Sequence, residues 1–265
     1  MPLPLFAPGD DPGPDFAALL RRLHGPLPGP LAAPDALPVR HGTTVVALRY
    51  VDGVVMAGDR RATEGNFIAH RAMEKVFPAD RHSAVAIAGA AGPAVEMVKL
   101  FQTQLEHYEK VEGVALSLEG KANQLGQMVR EHLPMAFQGL VVVPLFAGYD
   151  LRRGMGRIFT YDVTGGHYEE ADHAATGSGG RDARTTIKLG WRADLGRHEA
   201  IELAVQALYN AADEDAATGG PDVVRGIYPV VATVTVDGYA RVEEDEVAER
   251  FGVLVQRGIT GGRTS

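Results

Sequence analysis

His41-Gly42-Thr43-Thr44-Val45-Val46-Ala47-Leu48-Arg49-Tyr50-Val51-Asp52-Gly53-Val54-Val55-Met56-Ala57-Gly58-Asp59 is where the chain changes texture. Residues 43–50 are β-branched and apolar, which predicts a strand. Asp52-Gly53 is a hairpin turn signal, because both turn positions need φ values that Asp and Gly tolerate. Val54–Gly58 is then the return strand. Upstream the pattern is different: ten of the sixteen prolines lie at or before Pro38. Proline lacks the backbone donor and fixes φ, so this segment forms neither a continuous helix nor an inner strand. One short piece, Phe16–Leu23, sets Phe16, Leu19, Leu20 and Leu23 on one helical face. It reads as a docking helix within a leader, or as part of a solvated tail.

Downstream, strands are predicted at 84–88, 141–149, 157–162 and 230–236, with turns at Thr164-Gly165-Gly166 and Asp237-Gly238. Pro93 sits where a first-turn proline belongs. Val95, Val98, Leu105 and Tyr108 follow at helical spacing. Leu118, Leu125, Met128, Val129 and Leu133 mark a second helix. Further helices are predicted at 181–189, 199–212 and 243–255. Strands, two helices, strands, two helices, strands is an α+β order. Two antiparallel sheets flanked by helices, a four-layer α/β/β/α sandwich, satisfy it.

Bulk composition excludes several classes. The 265 residues are 45% hydrophobic and 23% charged, enough for a sizeable core under an ordinary polar surface. The net charge of −8 argues against nucleic acid as the main partner. No apolar run reaches the ~18 residues that span a bilayer, so no membrane association is expected. The absence of cysteine removes disulfides, thiolate zinc sites and a thiol nucleophile. The N-terminus lacks a basic start and has its apolar stretches broken by proline, unlike a signal peptide. A cytoplasmic protein is expected.

The search for chemistry narrows quickly. The nine histidines are scattered, with no HExxH or comparable pair. Gly177-Ser178-Gly179-Gly180 opens a helix and suits an anion, but no Lys-Ser/Thr follows, so it is not a P-loop. No G-x-S-x-G elbow occurs. Thr43 remains. A threonine hydroxyl is a poor nucleophile without an adjacent base, and a chain that begins with threonine supplies one, its own α-amine. That amine ordinarily has a pKa of about 7.7–8.0, and a neighbouring ammonium keeps it neutral. The arrangement needs a removable leader, a Gly-Thr junction, a lysine and a carboxylate to hold the lysine. The chain has Gly42-Thr43, Asp59 after the return strand and Lys75. Singly, each has a bland reading: a turn, a strand-end residue, a surface charge. Their order is the signal.

At these residues the sequence resembles the β subunit of the bacterial 20S proteasome, in its precursor form with a leader, among the N-terminal-nucleophile hydrolases. The resemblance covers residues 43–258. It runs through Thr43-Thr44, Met56-Ala57-Gly58-Asp59-Arg60-Arg61, Lys75, Ala88-Gly89-Ala90-Ala91-Gly92, Leu105-Glu106-His107-Tyr108-Glu109, Ala147-Gly148-Tyr149-Asp150, Gly177-Ser178-Gly179 and Asp215–Asp222. It implies a propeptide, 1–42, removed by self-cleavage at Gly42–Thr43, and a peptidase domain, 43–265. Thr43 resembles the nucleophile with its amine as base, Lys75 the tuning ammonium and Asp59 its holder. Gly89 resembles the oxyanion donor through its N–H, and Ser178, Asp215 and Thr218 the groups around the amine. Many relatives carry serine where this chain has Thr218; the hydroxyl remains. Thr63 and Ala91 resemble strand-edge groups that pair with substrate backbone. Ala62, Met73, Ile87 and Ala91 resemble the pocket for the residue before the cut. All four are apolar, so an apolar preference follows, unless the four are simply core.

The resemblance further implies a threonine endopeptidase without cofactor or metal, which degrades unfolded proteins inside a chamber. Its β subunits form a heptameric ring, two such rings are capped by α subunits, and a ring-shaped ATPase or other activator docks through the α ring. Three other readings share some of these features: a two-ring peptidase without α subunits, a silent ring subunit, and a small-molecule amidase of the same class. The Asp215–Asp222 block and the presence of Thr43, Lys75 and the junction favour the full proteasome type over these.

Overall fold

In the structure, a computed structural model, residues 42–64 and 67–261 are described. The expected propeptide, its Phe16–Leu23 helix included, lies outside the described residues except for Gly42. The decisive hairpin is present: β1 (Thr44–Tyr50) and β2 (Gly53–Gly58) pair antiparallel, with the turn at Val51-Asp52, one residue before the expected Asp52-Gly53, because Gly53 already pairs with Tyr50. A short hairpin, β3 (Ala62–Glu64) and β4 (Phe67–His70), follows. Next come β5 (Val76–Asp80) and β6 (Ser83–Gly89).

Helices α1 (Ala91–Glu112) and α2 (Leu118–Glu131) separate these strands from the next group. Helix α1 ends at Gly113 in the left-handed region, φ 71°, where glycine bears no Cβ clash. Helix α2 starts on Ser117, whose hydroxyl accepts the Gly120 N–H. A helical turn at Leu133–Ala136 leads to β7 (Val142–Asp150), β8 (Met155–Tyr161), β9 (His167–Glu170) and β10 (His173–Gly177). Helices α3 (Gly180–Gly190) and α4 (Arg197–Glu214), the hairpin β11 (Val230–Thr235) and β12 (Gly238–Arg241), and helix α5 (Glu244–Gly261) complete the order.

The strands form two five-stranded sheets, β10-β1-β2-β11-β12 and β5-β6-β7-β8-β9. The expected α/β/β/α sandwich is the result, and period-two alternation explains its layers. Val45 and Ala47 point between the sheets with Val54, Met56, Ala84, Ala86, Leu145 and Ile158. Their neighbours Val46 and Leu48 point outward, against Ala183, Ile187, Ala204 and Leu208 of α3 and α4. The second sheet repeats this with Val85, Phe146 and Phe159 under Phe101, Leu105 and Leu125. Both faces of each sheet are covered, so the strands read as continuous apolar runs. Each buried Val, Leu or Phe contributes about 1.5–3 kcal/mol. The functional consequence is placement: β1 is internal to its sheet, so its first residues are held from both sides.

Candidate active site

The site grows from the start of β1. Thr43 is almost fully buried. Its carbonyl accepts the Ser178 N–H at 2.9 Å, and its own N–H donates to Ser178 Oγ at 3.3 Å. The next N–H, of Thr44, donates to Asp59 Oδ1 at 2.8 Å. Lys75 Nζ donates to the same oxygen at 2.6 Å and to the Arg61 carbonyl, also at 2.6 Å. Asp59 Oδ2 accepts the N–H groups of Arg61 and Gly219 at 2.9 and 2.8 Å. Neither Asp59 nor Lys75 is exposed beyond 1%. Burial pulls the Lys75 ammonium below the ordinary lysine range, against the opposing pull of Asp59.

Asp215 ends α4 and supplies a second carboxylate. Its Oδ2 accepts from both Ser178 Oγ and Thr218 Oγ1, and its Oδ1 accepts the Ala217 N–H. Burial pushes this carboxyl up, but those donors outweigh it and hold it below the usual range. The threonine at 218 therefore keeps a hydroxyl hydrogen bond, at 2.6 Å to Asp215.

Gly42 precedes Thr43 in a tight place. Its N–H donates to Thr63 Oγ1 at 3.1 Å. A Cβ built on it would lie 1.9 Å from the Ala217 Cβ and 2.6 Å from the Ala217 carbonyl oxygen. Only glycine fits there. Gly89 closes β6 at φ +109°, and a Cβ on it would sit 2.1 Å from the Val141 carbonyl oxygen. It lies two residues beyond Ile87, whose N–H donates to the Lys75 carbonyl at 3.0 Å.

The structure thus brings Gly42, Thr43, Asp59, Thr63, Lys75, Ser178, Asp215 and Thr218 together around the start of β1, with Thr44 linking the Lys75–Asp59 pair to Thr218 and Asp215. The remaining expected residues are more spread. Ala62 is buried in β3, paired with His70. Met73 and Ala91 are half-buried. Ile87 packs among Val85, Ala94, Met97 and Val98 in the layer between the second sheet and its helices. Sequence reasoning missed Thr44, Arg61, Ala217 and Gly219. The Thr-Thr doublet was a signal for the first. Gly219 acts through its backbone N–H, and Arg61 through its backbone and its guanidinium, which donates to the Ala216 carbonyl. Among the described residues, no group of three or more His, Cys, Asp or Glu is placed to hold a metal ion.

A four-layer sandwich with a threonine at the head of an inner strand, set against a buried lysine–carboxylate pair, defines the N-terminal-nucleophile class of hydrolases. The proteasome subunit family model matches residues 39–225. A proteasome subunit beta of Acidimicrobium ferrooxidans is 66% identical over 249 residues, covering 93% of this chain and 91% of the relative. One from Streptomyces griseus subsp. griseus is 59% identical over 232 residues, 88% and 80% of the two chains. The chain belongs to the proteasome subunit family, as a catalytic β-type member with threonine-protease activity. Membership implies assembly with other proteasome subunits.

Proposed function

We propose that Thr43 is the nucleophile, released by the chain's own cleavage of Gly42–Thr43. The observation behind this is the fully buried Lys75–Asp59 pair, whose shared oxygen also takes the N–H of the residue after Thr43. In the precursor, Thr43 Oγ attacks the Gly42 carbonyl carbon. The C–N bond breaks as the nitrogen takes a proton, and residues 1–42 remain as an ester on Thr43. Water hydrolyses that ester, leaving a carboxylate on Gly42 and a free amine on Thr43. The amine then serves as base for the same hydroxyl against a substrate carbonyl. Lys75 disfavours its protonation, and Asp59 holds Lys75. Ser178, Asp215 and Thr218 orient the amine. The Gly89 N–H stabilises the oxyanion, a type of donor whose loss costs about 3–4 kcal/mol.

On this reading residues 1–42 are a propeptide and 43–265 the peptidase domain. Thr63 and Ala91 pair with substrate backbone. Ala62, Met73, Ile87 and Ala91 favour apolar side chains before the cut, since none offers a charge. The subunit works in a heptameric ring stacked with α subunits, in the cytoplasm. It degrades unfolded proteins delivered through the α ring by an ATPase or other activator. The decisive experiment is the mass of the mature N-terminus. The native chain should begin at Thr43, and Thr43→Ala should stay full-length and inactive. Self-trimming of purified Thr43→Ala to residue 43 would overturn the proposal.

A further inference from the structure

Beside Thr43 runs a chain of hydrogen bonds whose direction is fixed by chemistry. It begins at the Gly179 N–H, which donates to Thr44 Oγ1 at 2.9 Å. An N–H only donates, so Thr44 is the acceptor there and keeps its own proton. Thr44 Oγ1 lies 2.6 Å from Thr218 Oγ1, and Thr218 Oγ1 lies 2.6 Å from Asp215 Oδ2. An ionised carboxylate only accepts, so Thr218 donates to Asp215 and Thr44 donates to Thr218. Ser178 Oγ also has its short contact with Asp215 Oδ2, while its contact to the Thr43 carbonyl is a long 3.4 Å. The charge-assisted partner takes the serine proton. Ser178 is then left with lone pairs only, and these face the Thr43 nitrogen at 3.3 Å.

We infer that Thr44 is a positioning residue for the reaction: by donating to Thr218 its hydroxyl holds Thr218 and Asp215 Oδ2 in place, and that oxygen takes the Ser178 proton and leaves Ser178 an acceptor toward the Thr43 nitrogen. This inference rests on the reading of Thr43 as nucleophile. Its consequence is specific. A freed amine that donates an N–H to Ser178 keeps its lone pair for the Thr43 hydroxyl. A serine turned to donate would occupy that lone pair and disable the base. Thr44 is fully buried, at the head of a strand that continues with Val45 and Val46. Valine would serve the packing there equally well, so the hydroxyl has to be explained by its bonds. It also ties β1, which carries the nucleophile, to both the Gly177–Gly179 turn and the 215–219 loop. The charged groups around the Thr43 nitrogen are Asp59 and Arg61 after β2, Lys75 before β5 and Asp215 at the end of α4. Substitution of Thr44 changes none of them.

The test is peptide hydrolysis across pH by the assembled, self-processed protein carrying Thr44→Val or Thr44→Ser, each first checked for a Thr43 N-terminus by mass. Thr44→Val should lower kcat about tenfold, the size of one oriented hydrogen bond, with KM little changed. The acid limb of its pH profile should move to higher pH. Thr218, no longer held by Thr44, donates less well to Asp215 there, and the less-quenched carboxylate charge favours the ammonium form of Thr43. Thr44→Ser should restore both the rate and the limb. A variant that retains its leader is read instead by its rate of Gly42–Thr43 cleavage, slow in the valine form and restored in the serine form. Thr218→Val breaks the same chain one link later and should move the limb in the same direction. Equal impairment of Thr44→Val and Thr44→Ser, or an unmoved limb in both valine variants, would reduce Thr44 to packing. Activity in Thr43→Ala would instead sink the nucleophile reading itself, so the two failures are distinguishable.

Discussion

Lys75 and Arg157 are both cations sealed inside the chain, 1% and 3% exposed, and they are held in opposite ways. Lys75 has one carboxylate, and Asp59 shares its two oxygens with three backbone N–H groups. Burial dominates, and the lysine is pulled below its ordinary range. Arg157, on β8, has three carboxylates: Glu169 of β9 in a two-pronged contact, Glu119 of α2 and Asp150 of β7. Its guanidinium carbon also lies 4.8 Å above the Phe159 ring. Its hydrogen bonds to Glu169 outweigh its burial, and its pKa rises. An underpaired lysine can tune a neighbour's proton affinity; an overpaired arginine can only clamp strands to a helix. On the proposed reading the same ingredients serve chemistry where the ends of β2 and β5 meet and cohesion across β7, β8 and β9.

The sharpest way to break this contrast is at Asp59 and Lys75. Lys75→Met, with residues 1–42 removed at an inserted protease site, should lose peptide hydrolysis on the order of 10³-fold. It should also lose about 3–5 kcal/mol of stability, because Asp59 is left buried and unpaired. Asp59→Asn should be nearly as damaging as Asp59→Ala. All four of the groups around this carboxylate donate, two to each oxygen, and an amide nitrogen would face two of them with another donor. A mild Asp59→Asn phenotype in rate and urea midpoint would show that the charge and both acceptors are dispensable. The wild-type rate should also fall on the alkaline side below the ordinary lysine range, as Lys75 loses its proton there.

Next in size is Gly42→Ala. The added methyl would meet the Ala217 side chain and backbone well inside contact distance. Cleavage at Gly42–Thr43 should slow by two orders of magnitude or so, as misplacement of a reacting carbonyl does. Gly42→Ala with Ala217→Gly should recover little of that loss, because the clash with the Ala217 carbonyl remains. Full recovery on a gel time course would mean that the junction moves freely.

Much of this was legible in the sequence, and the gaps have physical causes. The β1–β2 hairpin showed itself through β-branched residues around Asp52-Gly53. The helices showed themselves through their apolar spacing, with ends displaced by a few residues at most positions. The strands β3 and β4 escaped because they are very short, and all of β4 is exposed, Phe67 by 80%. Strand β5 contains Pro78 at an irregular register. Strands β9 and β10 are polar edge strands without alternation. At the site, Asp59 and Lys75 were readable because the proposed chemistry demands their side chains. Gly219 and the Arg61 carbonyl were not, since a backbone group leaves no mark on residue type. Thr44 was hidden by its strand propensity, which explains a threonine there without any hydroxyl bond.

Arg157→Met tests the cohesive cluster. It should cost about 2–3 kcal/mol, below the usual figure for breaking a buried pair, because Glu119 and Glu169 are 51% and 41% exposed and can rehydrate. Hydrolysis per assembled particle should stay within about twofold, since Arg157 bonds to none of the residues around Thr43. A collapse in kcat with intact assembly would erase the distinction between the two clusters.

The smallest effect is the pH dependence of that cost. Hydrogen bonds from Arg157 hold the Glu169 carboxyl below its ordinary value against the opposing effect of burial. Burial pushes Asp150 up, but the Arg153 and Arg152 N–H groups, with Arg157, bring it below. A carboxylate depressed in the folded state contributes stability above its unfolded pKa, near 4, and loses it as pH falls through the folded value. Removing Arg157 returns Glu169 toward its ordinary value, while Asp150 keeps its two backbone donors. Asp215 is depressed in both proteins and cancels in the difference. The stability gap between wild type and Arg157→Met should therefore be widest near neutral pH and narrow below about pH 4.5. The narrowing should be about 1 kcal/mol or less, because Glu169 is well solvated. Urea midpoints at neutral pH and near pH 3.5 would measure it. An unchanged gap would assign the cost of Arg157→Met to the lost Phe159 contact and packing rather than to its carboxylates.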